Sequence, residues 1–394
     1  MIHYFVDPIY QASLFGTMLM ALSCSFLGVF LVLERRSLIV ETLSHAAYPG
    51  VALGLIFSGG AIICGGLFTV LLALWMIGRL EKSHRVASDP ALCFTMSAFL
   101  GVGALLASYL QGVSPVLSKK MDSFLFGQAA TMFSSHVRIY LILALAVIGW
   151  IVLNFHSLKG RAFDRSFARL EGAWVRTLDM GMTLLVALAI VVGVRCVGVV
   201  LMAGMIIAPA VASRHWVRSL GALLVLAGCF GVGSALAGNL IAFEYHISAG
   251  PVIVCLGTSS ALLSLLIAFC LREVRKLRFR SKCSQENVLK LLWKGGDIAL
   301  ASRFALWRAR QKGLVTAQGE LTELGREKGS QIVRLHRLWE LYLSSNLNFG
   351  IHNVHPSAEE MEHILTPELE RELTRVLGNP SSDPHKQPIP GGVI

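Results

Sequence analysis

Charge is scarce in this sequence: Asp, Glu, Lys and Arg make up 15% of its 394 residues, while 54% are hydrophobic. Soluble domains carry roughly 25% charged residues, so most of this chain is excluded from that class. Cysteine occurs eight times but never as a CxxC pair, and seven of the eight lie in apolar stretches. That excludes a disulfide framework or a zinc knuckle and leaves the thiols as small hydrophobes. No G-x-x-x-x-G-K-[ST] loop occurs, so the chain is not expected to hydrolyse ATP and is not read as an enzyme. H-E-x-x-H and G-x-S-x-G are absent too. The opening MIHYFVDPIYQAS has no Lys or Arg, hence no basic n-region of a cleavable signal, and the first apolar run is expected to be retained.

What the chain does have is a succession of apolar runs close to the roughly 20 residues that cross a bilayer. They fall near 12–33, 44–58, 61–78, 91–110, 137–154, 174–194, 196–213, 219–240 and 251–271. Residues 1–271 therefore read as an all-α polytopic membrane domain of about eight or nine transmembrane helices. Arg35 and Arg36, RLEKSHR (79–85), HSLKGRAFDRSFAR (156–169), RHWVR (214–218) and REVRKLRFRSK (272–282) alternate about the spans. The positive-inside rule puts them in the cytoplasm, with Lys119, Lys120 and Arg195 as exceptions, the N-terminus outside and everything after 271 inside.

Hydropathy collapses after Cys270. Residues 272–285 form a basic juxtamembrane linker, beside anionic lipid and open to proteolysis. Helical periodicity at 286–293 and 298–311, the β-prone LVTA, a turn at Gln318 and Gly319, and ELTELG follow in the order of a winged helix-turn-helix, 286–330. Residues 331–394 are helical and end in GNPSSDPHKQPIPGGVI, whose Pro, Gly and Ser content predicts an extended tail.

Glu41 and His45 are four positions apart, so one helical face can present an oxygen and a nitrogen to the same ion. Ser44 adjoins them, and Pro49 and Gly50 would kink the helix and free carbonyls just beyond. An ionisable pair at membrane depth is costly and should face a polar route; the alternative is a pair snorkelling at the interface. Near the C-terminus, His355, Glu359, Glu362 and His363 recur at i, i+4, i+7 and i+8, and His336 with Glu340 repeats the i, i+4 pair. Packed together, such faces could enclose one or two divalent cations, and a set without Cys suits manganese, iron(II) or zinc. The alternative is a solvated acidic face with incidental histidines. Arg303, Trp307, Arg308, Arg310 and Lys312 concentrate on the expected recognition helix, where they could serve DNA phosphates and base edges, or face anionic lipid or a protein partner.

The segment RRSLIVETLSHAAYPGVALG (35–54) resembles the signature of the metal-ion ABC permease family. FLFGQ (124–128), AFDRSFARLEG (162–172) and VGVVLMAGMIIAPAVASR (197–214) extend the resemblance across nearly the whole membrane domain. It implies a multi-pass protein of a bacterial inner membrane that imports manganese, iron or zinc. Its partners would be a separate ATPase subunit, an extracytoplasmic metal-binding protein and a second permease subunit, the same or a sister. Glu41 and His45 would contact the passing ion, and residues 163–172 would form the helix that docks on the ATPase, with Phe163, Asp164, Phe167, Arg169 and the closing Gly172.

Residues 321–390, from LTELGREKGSQIVRLHRLWELYL to the closing PIP, resemble the DtxR/MntR family of metal-dependent repressors. The resemblance places His336, Glu340, His355, Glu359, Glu362 and His363 on that family's metal-ligand columns, with Glu359 matching the manganese branch. It implies a homodimeric sensor domain with operator DNA as its partner. Two departures stand out: the first-helix ligand position falls on Asn287, and the second DNA-reader helix is shortened around KGGDIALAS. The expectation is a permease fused to a metal-dependent repressor, acting tethered or after release. In the alternative, the tail is a cytosolic metal-sensing gate that binds no DNA; in another, the chain is a secondary transporter needing no ATPase.

Overall fold

The computed structural model describes residues 8–58, 62–82, 87–127, 132–164, 174–346 and 367–391. The chain divides into two compact units, Met1–Phe269 and Cys270–Ile394.

The first unit contains α1 (Pro8–Leu33), α2 (Leu38–Ser58), α3 (Ile62–Lys82), α4 (Ser88–Val113), α5 (Pro115–Phe126), α6 (Ser134–Leu153), α7 (Phe155–Phe163), α8 (Val175–Val197), α9 (Met202–Arg214) and α10 (Leu220–Tyr245). Then comes α11 (Ala249–Trp293), a single helix that runs across the unit boundary and contains residues 272–285. Among the described residues, eight helices, α1 to α4, α6, α8, α10 and α11, are long and apolar enough to cross a membrane.

The expected span at 196–213 is a correction. Here α8 ends at Val197, Gly198 turns the backbone at φ +94°, and α9 follows as a helix of 13 residues. At about 1.5 Å per residue such a helix falls short of the roughly 30 Å hydrocarbon layer. The apolar composition was right, but the break at Gly198 divides the run.

The two most buried spans are α1 and α2. α1 packs against α6, α9 and α10, and α2 against α3, α4 and α8. Without a hydrophobic drive between helices in lipid, close approach depends on small residues at the crossings. Gly50 of α2 lies against the Gly65 carbonyl and Thr69 of α3, leaving no room for a Cβ, while Gly103 of α4 packs on Tyr48 and Pro49. The motif that carries His45 is thus wedged between two neighbours. Two other quoted motifs also meet: Gly127 (φ +77°), which ends α5, lies against the Cys196–Gly198 backbone, and Val199 N–H donates to the Phe124 carbonyl at 3.0 Å. α1 and α10 share a polar knot, in which Asn239 donates to Thr17 Oγ1 at 2.6 Å and accepts from Ser13 Oγ at 3.3 Å.

The second unit begins within α11 and continues with a 3₁₀ turn (Ile298–Leu300), α12 (Arg303–Gln311), α13 (Glu323–Asn346) and α14 (Pro367–Val376). The helix expected over 298–311 is corrected to this turn and the shorter α12, because Asp297 caps the turn and Ala301 is extended. Between α12 and α13 a single antiparallel bridge pairs Val315 with Leu321 around the Gln318–Gly319 turn. Thr322 then caps α13, its hydroxyl accepting from Gly325 N–H at 3.1 Å. Leu289, Ala309, Leu314, Val315 and Ile332 close the core of this unit.

The tail is not simply extended: a bridge pairs Ser382 with Pro388, and Asp383 accepts from the His385 and Gln387 backbone. α13 holds this turn. Arg334 donates to the Pro390 carbonyl at 2.7 Å and Arg337 to the Pro388 carbonyl, so the closing PIP is a docking segment.

Candidate functional sites

In the membrane unit, Glu41 lies in the first turn of α2 with an exposed side chain, and His45, one turn on, is half-buried. The His45 Nδ1 atom is buried and has no hydrogen-bond partner among the described residues. A nitrogen left unpaired inside an apolar bundle is costly, so this one invites a ligand. Ser44 is not competing for it; its hydroxyl donates to the Val40 carbonyl at 2.8 Å. Pro49 lies inside α2 and removes one helical N–H.

At the same end of α1 as the Arg35–Arg36 loop is an ion cluster that the sequence pattern did not reveal. The Arg161 guanidinium of α7, 3% exposed, lies 2.7 Å from Glu34 and 2.8 Å from Asp179 of α8. It ties three segments together directly before the segment expected to dock the ATPase. Phe163 ends α7 with 96% of its surface exposed, and Asp164 caps that helix. Beside it opens a cleft of about 740 Å³ lined by His156, Lys159, Arg214 and Arg218 over an apolar floor that includes Leu33 and Leu220. Phe167, Arg169 and Gly172 lie outside the described residues.

In the second unit, His336 and Glu340 of α13 do form a pair: Nε2 is 3.3 Å from Oε1, and both side chains are 2% exposed. Nδ1 of the same ring is 3.2 Å from Lys290 Nζ of α11. His355, Glu359, Glu362 and His363 lie outside the described residues, and among the described residues no group of three or more His, Cys, Asp or Glu side chains gathers to hold a metal. Asn287 shares α11 with Lys290, but it is Lys290 that reaches His336. On α12, Arg303 and Arg310 are exposed, as is Lys312 at its C-cap, and Trp307 stacks on Phe304 at 5.9 Å, whereas Arg308 donates to Ser281 Oγ of α11.

Among the described residues, eight long apolar helices, one of them α2 with its ionisable first turn, define a multi-pass membrane protein. The chain belongs to the ABC 3 transport family, whose pattern matches residues 6–268, and it is the non-catalytic membrane component of such a transporter. Residues 322–391 match the pattern described as iron dependent repressor, metal binding and dimerisation domain. Over 98% of its length the chain is 32% identical to a "Probable metal transport system membrane protein" of Chlamydia trachomatis, covering 97% of that protein. It is also 32% identical over 75% of its length to the "Zinc transport system membrane protein TroC" of Treponema pallidum, covering 96% of it. PsaBC from Streptococcus pneumoniae superposes with a TM-score of 0.60 at 28% identity, over 67% of this chain and 95% of that one.

Proposed function

We propose that the chain is the permease subunit of an importer for a divalent metal, manganese or iron(II) with zinc as a further candidate. The observation that carries this reading is the unpaired, buried Nδ1 of His45, one turn from Glu41 on the wedged helix α2. An imidazole nitrogen and a carboxylate offer borderline and hard donors to the same cation, which fits these metals better than copper(I). The likeness to transport proteins described for metal and for zinc supports the cargo class. Glu41 and His45 contact the ion in transit. Phe163 and Asp164, with Phe167, Arg169 and Gly172, dock a separate ATPase, and the basic cleft of His156, Lys159, Arg214 and Arg218 is fit for acidic groups of that partner. An extracytoplasmic metal-binding protein delivers the ion, and a second permease subunit completes the assembly in a bacterial inner membrane. The positive-inside rule gives the N-terminus outside and residues beyond 271 in the cytoplasm.

Manganese uptake by proteoliposomes holding the chain and its ATPase tests this. His45→Ala should cut uptake on the order of tenfold or more, the scale of losing about 1.4 kcal/mol of ion stabilisation. Unchanged uptake would remove His45 from the route, and uptake without the ATPase would favour a secondary transporter.

For the second unit we propose a homodimeric metal sensor of repressor type, in which residues 286–330 act as a winged helix-turn-helix and α12 meets operator DNA through Arg303, Trp307, Arg310 and Lys312. Residues 331–394 hold the metal through His336, Glu340, His355, Glu359, Glu362 and His363. Residues 272–285 are the place for proteolytic release; a C-terminal fragment on immunoblots would support it, and full-length protein alone would count against it. The gate reading has its own support: Lys290, which touches His336, is carried by the helix that starts at Ala249 in the membrane unit. Manganese-dependent retention of promoter DNA by the full chain separates the two readings.

A further inference from the structure

Lys290 is a long way in sequence from the residues that resemble metal ligands, yet its ammonium nitrogen lies 3.2 Å from His336 Nδ1, across 46 positions. Lys290 is 8% exposed, and His336 and Glu340 are each 2% exposed. A lysine ammonium only donates, so Nδ1 accepts from it. The ring proton is then assigned to Nε2, which faces Glu340 Oε1 at 3.3 Å. Ammonium, neutral imidazole and carboxylate follow one another in a buried chain.

We infer that Lys290 is a built-in occupant of the C-terminal cation site: it satisfies His336 when no ion is held, and a divalent cation binds only by displacing it. The inference rests on reading the second unit as a metal sensor. Both ring nitrogens already have a partner, so an ion cannot take either without removing one. The carboxylate is the partner a cation attracts, and the ammonium is the one it repels, strongly at such range in a poorly solvated interior. The four-carbon lysine stem lets the head swing away. Two neighbouring arginines of α13 are held elsewhere. Arg334 is fixed by Glu370 and the Pro390 carbonyl, and Arg337 by Gln387 and the Pro388 carbonyl.

Two consequences follow. Expelling Lys290 subtracts from the binding free energy, so the site fills only when the ion is abundant. Occupancy is also converted into the release of a side chain on α11, a helix other than the one that bears His336 and Glu340.

The test uses the full-length chain in detergent micelles, with Glu41→Gln and His45→Ala in the background so that the transport residues do not contribute. Amine-reactive labelling of Lys290, read by mass spectrometry, should rise several-fold when manganese chloride is added, and His336→Ala should abolish that response. In equilibrium dialysis, Lys290→Met should bind manganese about tenfold more tightly than the parent, and Lys290→Arg no more tightly. The labelling needs no substitution at Lys290, so misfolding of Lys290→Met leaves it decisive. His336-dependent manganese binding with Lys290 labelling unchanged or lowered would overturn the inference and leave the sensor reading standing. If neither parent nor Lys290→Met bound manganese, the sensor reading would fall, and this inference with it.

Discussion

Arg161 Nη2 lies 2.7 Å from Glu34 Oε2, joining two residues 127 positions apart, and the same nitrogen is 2.8 Å from Asp179. A single buried cation therefore lies between two carboxylates where α7 leads into the expected docking segment.

Removing that cation alone should be worse than removing the cluster. Arg161→Leu removes the buried cation that both carboxylates touch and should cost about 3 kcal/mol, the low end for a broken buried pair because the Asp179 side chain keeps 22% exposure. The triple change Glu34→Gln, Arg161→Leu, Asp179→Asn should recover most of the loss. Thermal unfolding of the three proteins in detergent measures both; equal stability of Arg161→Leu and the parent would show the cluster carries no weight.

The wedge around His45 gives a paired prediction on one helix. A Cβ on Gly103 would meet Tyr48 and Pro49, whereas Gly101 has nothing within 4 Å. Gly103→Val should lose about 2 kcal/mol or more through overpacking. Gly101→Val should stay within about 0.5 kcal/mol of the parent. The same unfolding assay distinguishes them, and uptake by Gly103→Val should fall because α2 can no longer hold His45 in place.

Phe163→Asp should weaken capture of the ATPase while leaving the melting temperature unchanged, since a side chain 96% exposed contributes nothing to the fold it leaves. Co-purification of the tagged permease with its ATPase reads this out. Undiminished capture would move the docking surface elsewhere.

On DNA, exposed and bound cations should behave differently. Arg310→Ala and Lys312→Ala, made in the full chain, should each reduce the slope of log K against log salt by about 1. Arg308→Ala should also lower stability, because Arg308 is bonded to Ser281 of α11. A salt slope indifferent to Arg310 and Lys312 would take α12 off the phosphates.

Local patterns were legible in the sequence, and long-range pairings were not. Apolar runs revealed the spans because burial in lipid demands continuous hydrophobicity, and the i, i+4 spacing of His336 and Glu340 revealed a pair that does form. The run at 196–213 misled because composition does not register the turn at Gly198. Lys290 carried no periodic signal: its partner is set by how α11 and α13 pack, as are those of Arg161 and Asn239. The closing PIP was recognisable only by resemblance, and nothing local pointed to Arg334 and Arg337 as its anchors.

The crossing of Gly127 and Gly198 has a consequence for divergence in this chain. Main chain meets main chain there, with no side chain on either side to shorten in compensation. A bulkier residue at one position therefore cannot be rescued by a smaller one at the other. The ends of α5 and α8 share a joint that can be preserved or broken but not gradually retuned, and the two must drift as one unit.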